Sequence, residues 1–103
     1  MDKLATIHTF VLVARALSFS EAARELCVSK SVVSERIKRL EQLIGRPLLV
    51  RSTRTVQLSP IGSAFLQECA DLVERADELV RFMERGEVQP VRAAAVGRAE
   101  RVG

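Results

Sequence analysis

Lys30, Ser31, Ser34, Glu35, Arg36 and Lys38 fall within nine consecutive positions, and Arg39 follows at once. Amines, guanidinium groups, hydroxyls and one carboxylate are the groups that hydrogen-bond to base edges and phosphate oxygens. Lysine and arginine donate to guanine, serine serves either way, and glutamate accepts from the cytosine amino group. Arg51 and Arg54 bracket Ser52-Thr53 a short distance on, and Ser20 and Ser59 stand where helices are expected to begin. A hydroxyl or amide at such a start suits a phosphate oxygen. This chemistry binds and does not break bonds. The chain has one histidine, no tyrosine, no Gly-rich phosphate loop, and no plausible catalytic base beside either Cys27 or Cys69 in sequence. The two cysteines lack zinc-site spacing, and His8 alone does not complete a cluster with them. No catalysis, metal or cofactor is expected, and both thiols read as small half-buried hydrophobes.

These groups need elements to hold them. Leu4, Ile7, Val11 and Ala14 recur at helical spacing, widened by Phe10, Val13 and Leu17, so a first helix is expected over 3–16 with His8 on its outer side. Ser20, preceded by Ser18, is expected to cap a short helix over 21–26 whose Ala22, Ala23 and Leu26 face inward. Cys27-Val28-Ser29 then forms a tight junction into a third helix, from Ser29 or Lys30 to Leu43 or Ile44. Val33, Ile37, Leu40 and Ile44 are spaced by four, three and four, which turns the polar residues outward. Gly45 and Pro47 end the helix. The runs Leu48–Val50 and Thr55–Leu58 predict a small hairpin with Arg51 to Arg54 at its tip. A hairpin this short must pack on the helices to be stable.

Ser59-Pro60 is a strong helix start, and the pattern beyond it predicts a long helix over about 60–85. Phe65, Cys69, Leu72, Ala76, Leu79 and Met83 repeat as a heptad seam, with Val73 and Val80 in a second line beside it after Leu66. The part near Phe65 and Leu66 is expected to pack on its own domain. The seam, with Val73 and Val80, is expected to pair with a second copy; the alternative is that the whole stripe folds back on the first helix. Beyond Gly86 the periodicity ends, and residues 86–103 read as a flexible tail.

With 103 residues the chain fits one small reader domain (1–59) plus a linker helix (60–85). Its net charge of +3 is unevenly spread. Residues 29–60 carry seven basic and two acidic side chains, whereas 61–87 carry three basic and seven acidic ones. The basic block coincides with the third helix and the hairpin, which suits a polyanion. No apolar run approaches the ~18 residues of a membrane span. The start Met1-Asp2-Lys3 lacks a signal-peptide pattern, so a cytoplasmic location is expected.

Taken together, these residues resemble the amino-terminal winged helix-turn-helix domain of LysR-type transcriptional regulators. The resemblance covers about residues 3–85. It is carried by Phe10, Ser18-Phe19, Ala22-Ala23, Leu26, Val28-Ser29, Ser34, Ile37, Leu40-Glu41, Gly45, Pro47-Leu48, Arg51, Arg54, Leu58 and Gly62. It implies a mainly α fold, three helices and a β-hairpin wing, followed by a long dimerisation helix. It implies a homodimeric bacterial regulator that binds double-stranded DNA at an inverted-repeat promoter site. Base reading is expected from Lys30, Ser31, Ser34 and Glu35, with Arg36 and Lys38 at the margins. Backbone contacts are expected from Ser20, from Lys38 or Arg39, and from Arg51, Arg54 and Ser59. The family commonly has glutamine at Lys30, arginine at Glu35 and phenylalanine at Leu49. The family normally continues into an effector-binding region, which the 18 residues from Gly86 are too few to form, so no inducer is expected on this chain. An alternative is a short interaction protein that pairs through its linker helix with a full-length regulator and inhibits it.

Overall fold

The computed structural model describes residues 2–86. The tail beyond Gly86, expected to be flexible, lies outside them. The elements run α1 (Lys3–Ala16), α2 (Phe19–Leu26), α3 (Lys30–Ile44), β1 (Leu49–Arg51), β2 (Val56–Leu58) and α4 (Pro60–Glu84). The described residues divide into two units, 2–73 and 74–86. Within the first unit the fold is a three-helix cluster with an antiparallel two-stranded wing, as the sequence leads one to expect.

Each helix end has a local cause. Asp2 and Ser29 cap α1 and α3, their side chains accepting from Ala5 N and Val32 N. Ser18, not Ser20, caps α2: its Oγ accepts from Glu21 N at 3.1 Å, and the helix begins at Phe19. Ser18 and Glu21 have the spacing of a capping box, although the Glu21 carboxylate is held by Arg24 instead. Ser20 therefore lies exposed inside the first turn. Leu17 and Cys27 end their helices in the left-handed region. Gly45 does so at φ 83°, a conformation glycine adopts without a steric cost.

The core gathers Phe10, Val13, Ala14, Phe19, Ala22, Ala23, Val33, Ile37, Leu40, Leu48 and Leu49. The alanines of α2 let α1 and α3 approach closely. The buried face of α1 is rotated from the one the apolar spacing suggests. Thr6 and Thr9 are buried, while Leu4 and Leu17 are exposed, and His8 is half-buried rather than fully outward. Thr9 tolerates burial because its hydroxyl donates to Ala5 O, at 2.8 Å.

The wing is shifted by one residue from its expected strands. Leu48 precedes β1, Arg51 ends β1 opposite Val56, and Thr55 belongs to the turn. Five hydrogen bonds pin its root. The Glu41 Oε2 accepts from Leu48 N at 2.7 Å and from Leu49 N at 3.1 Å. Ser59 N donates to Leu48 O at 2.9 Å. Ser59 Oγ donates to Pro47 O at 2.6 Å and accepts from Gly62 N at 3.0 Å. Gly62 packs so tightly on this loop that a Cβ there would stand 2.1 Å from Leu48 O.

Glu41→Ala leaves two amides at the wing root without an acceptor. We expect a loss of about 2–6 kcal/mol in chemical denaturation, from ~1–3 kcal/mol for each of the two orphaned groups, and a smaller loss for Glu41→Gln, which keeps an acceptor oxygen. A loss from Glu41→Ala no larger than that from Gln42→Ala, on the exposed neighbour, would contradict this role.

Candidate nucleic-acid interface

The outer face of α3 and the wing enclose a groove of about 440 Å³, lined by Lys30, Ser31, Ser34, Glu35, Lys38 and Arg51. These positions lie opposite Val33, Ile37 and Leu40, which hold α3 in the core. The groove therefore presents two cations, two hydroxyls and one carboxylate on a helix that is itself firmly packed, and a third cation, Arg51, from β1.

Arg51 enters this groove on a platform. Its guanidinium carbon stands 4.5 Å from the centroid of the Phe19 ring. Phe19 itself is buried, only 5% exposed. A guanidinium over an aromatic face gains about 0.5–1 kcal/mol at such a partly exposed site and loses part of its rotamer freedom. Three elements thus set one cation: the α2 ring beneath it, the β1 backbone that carries it, and the α3 groove it faces. The pairing joins residues far apart in sequence, so no local pattern discloses it.

The other expected contact residues are placed unequally. Arg54 is exposed in the turn between the strands, where the Ser52 hydroxyl accepts from Arg54 N and Thr55 N. Arg36 turns toward α1, where it is half-buried and donates to the Thr9 hydroxyl at 3.3 Å. It is not among the residues that line the groove. Arg39 is exposed, and its Nε–H donates to Glu35 Oε2 at 2.9 Å. Ser59 is 5% exposed and its hydroxyl is committed to Pro47 and Gly62. The hydroxyl expected to meet a phosphate thus makes two internal hydrogen bonds, one capping a helix and one locking the wing root.

On α4, Ile61, Leu66 and Cys69 pack against the core of the first unit. Cys69, expected on the seam, is thus half-buried against its own domain. This burial, with Glu68 beside it, raises the thiol pKa above its ordinary value. Phe65, Leu72, Leu79, Val80 and Met83 are exposed, while Val73 and Ala76 are intermediate. Cys27 is exposed, not half-buried, at the end of α2. Among the described residues no cluster of His, Cys, Asp and Glu has the form of a metal site, and no helix is long and apolar enough to cross a membrane.

Three packed helices, the third presenting a cationic groove beside a two-stranded wing, define the winged helix-turn-helix class. Within that class, the chain belongs to the lysR family of bacterial regulatory helix-turn-helix proteins, whose pattern matches residues 4–63. It is 41% identical to an HTH-type transcriptional repressor of Pseudomonas aeruginosa over 88% of this chain and 29% of that protein. The chain thus spans under a third of that relative. Among solved structures, it resembles the H2O2-bound C206S mutant of Corynebacterium glutamicum OxyR with a TM-score of 0.77 and 31% identity, over 79% of this chain and 25% of that one. It resembles the BenM DNA-binding domain in complex with catB site 1 DNA with a TM-score of 0.73 and 34% identity, over 80% of this chain and 92% of that one.

Replacing Phe19 by leucine keeps an apolar side chain in the core but removes the ring face. The Arg51 Nε–H order parameter from NMR relaxation is expected to fall, with a stability loss of about 1–2 kcal/mol. An unchanged order parameter would mean that Phe19 only fills space.

Proposed function

We propose that this chain is the DNA-binding portion of a homodimeric, cytoplasmic bacterial transcriptional regulator. Residues 1–59 read duplex DNA and residues 60–85 pair two copies. The observation that carries this reading is the groove of Lys30, Ser31, Ser34, Glu35 and Lys38 on a firmly packed helix, joined by Arg51 from β1. Its charge matches the sugar–phosphate backbone, and its helix fits the major groove. The groove side chains of α3 read bases. Arg51 and Arg54 on the wing, with Ser20 at the start of α2, hold phosphates. The likeness to a domain solved on DNA supports the same mode. In this reading the chain itself binds no small-molecule inducer.

Homodimer formation is supported by the exposed apolar side chains Phe65, Leu72, Leu79, Val80 and Met83 on α4. Exposed apolar area costs about 25 cal/mol per Å², and a second copy of the same helix removes it from water. A two-fold dimer offers two reading helices in opposite senses, which suits an inverted repeat with half-sites about one helical turn apart, or a multiple.

The central experiment is binding of the purified chain to duplex DNA across a salt series. With about six to eight phosphates neutralised per dimer, log affinity is expected to fall against log salt with a slope of about −5 to −7. Arg54→Ala weakens specific and random duplexes alike, whereas Ser34→Ala changes preference at particular base pairs by about 1–3 kcal/mol. Affinity that is flat with salt sinks the reading. A chain that binds no duplex but captures a full-length regulator would favour the inhibitory alternative.

Assembly is tested by sedimentation. The unaltered chain is expected to run as a dimer at tens of micromolar, and Leu72→Glu with Leu79→Glu as a monomer that binds an inverted repeat far more weakly. A wild-type monomer with full affinity for a single half-site refutes the dimer and the inverted-repeat target together.

A further inference from the structure

We propose that Glu35 and Arg39 work as one unit: Arg39 neutralises Glu35 so that its carboxylate can enter the major groove and accept from a cytosine amino group. The inference rests on the DNA-binding reading above and specifies one base within the target.

Glu35 is the single carboxylate among the residues lining the groove. Beside a polyanion, an uncompensated carboxylate is repelled by every sequence alike. One turn further along α3, Arg39 donates its Nε–H to Glu35 Oε2 at 2.9 Å. The two side chains are 55% and 56% exposed, so the pair is accessible to a duplex. Oε1 keeps both lone pairs and Oε2 keeps one, so the carboxylate still accepts while its charge is offset. The major groove presents amino donors only from cytosine and adenine. Adenine sets its N7 acceptor beside that amino group, where it repels a second acceptor. Cytosine is therefore the better partner for a carboxylate. An exposed i,i+4 ion pair adds little to folding, so base preference, and not stability, is where this pair acts.

The test uses the full chain with Glu35→Gln, Arg39→Ala and the double variant. Sites are selected from a randomised duplex pool, and affinity for random duplex is measured at one fixed salt concentration. The wild type is expected to select cytosine at one position of each half-site by about fivefold or more. Glu35→Gln moves that preference to adenine, whose N6 and N7 a carboxamide can bridge. Arg39→Ala weakens binding to random duplex severalfold more when Glu35 is present than when it is replaced by glutamine. That non-additivity separates charge neutralisation from a simple phosphate contact, which would cost the same in both backgrounds. Equal cost in both backgrounds overturns the role of Arg39. A consensus unchanged by Glu35→Gln overturns the base assignment while leaving salt-dependent binding intact. Loss of all duplex binding by the wild type would instead sink the DNA-binding reading on which this inference stands.

Discussion

One carboxylate joins the helix that would read to the strand that would clamp. The Glu41 Oε2 accepts both Leu48 N and Leu49 N, one turn before α3 ends at Gly45. Two three-residue strands cannot hold themselves in water. Here the hairpin is stable because its root is bonded to α3 from one side and locked by Ser59 from the other, with Leu48 and Leu49 buried in the core. The carbonyl of Leu48 then lies where any side chain on residue 62 would collide with it. Arg51 stands two residues from Leu49, so its place beside Lys30 and Lys38 follows from this root.

The same logic explains why the groove is preorganised without being rigidly filled. Its floor is a helix whose inner face is packed by Val33, Ile37 and Leu40, all at most 7% exposed. Its far wall carries a guanidinium resting on a buried ring. Long cationic side chains lose considerable rotamer entropy when a ligand immobilises them. A platform that restricts Arg51 beforehand lowers that cost, whereas Lys30 and Lys38 keep their freedom and can adapt to different backbone positions. One preset cation and two adaptable ones suit a surface that must first find register and then adjust.

Much of this architecture is legible in the sequence, because its helices are bounded by residues with local mechanisms. Ser29 with Gly45 brackets α3, and Ser59-Pro60 opens α4, all within a residue of the expected limits. The hairpin is read from its two short apolar runs, although β1 begins one residue later than they suggest. What escapes local reading is what depends on a distant partner. Ser59 looks like a helix cap, and it is one, yet its hydroxyl also reaches Pro47 across twelve residues. Arg36 looks like part of the basic face until Thr9 on α1 is seen to accept from it. The α1 stripe is misjudged because a threonine that bonds its own helix backbone can be buried as readily as a valine. The capping box of Ser18 and Glu21 was the one local signal open to reading, masked by a second serine at position 20.

These facts divide the residues of the reader into two kinds. Glu41, Ser59 and Gly62 each satisfy or avoid buried groups, so few replacements preserve the wing. Lys30, Ser31, Glu35 and Lys38 are exposed and pack on nothing in the core. Changes at such surface positions usually alter stability by no more than ~0.5 kcal/mol. Recognition can therefore be rewritten along α3 without disturbing the fold that carries it. The lysine at 30 and the glutamate at 35, which depart from the common family residues, sit at positions of this second kind. Because the scaffold is indifferent to them, their chemistry is answerable only to what enters the groove. That makes Glu35, an anion kept where a polyanion is expected to dock, the residue whose presence most calls for a partner, and Arg39 supplies one from the next turn.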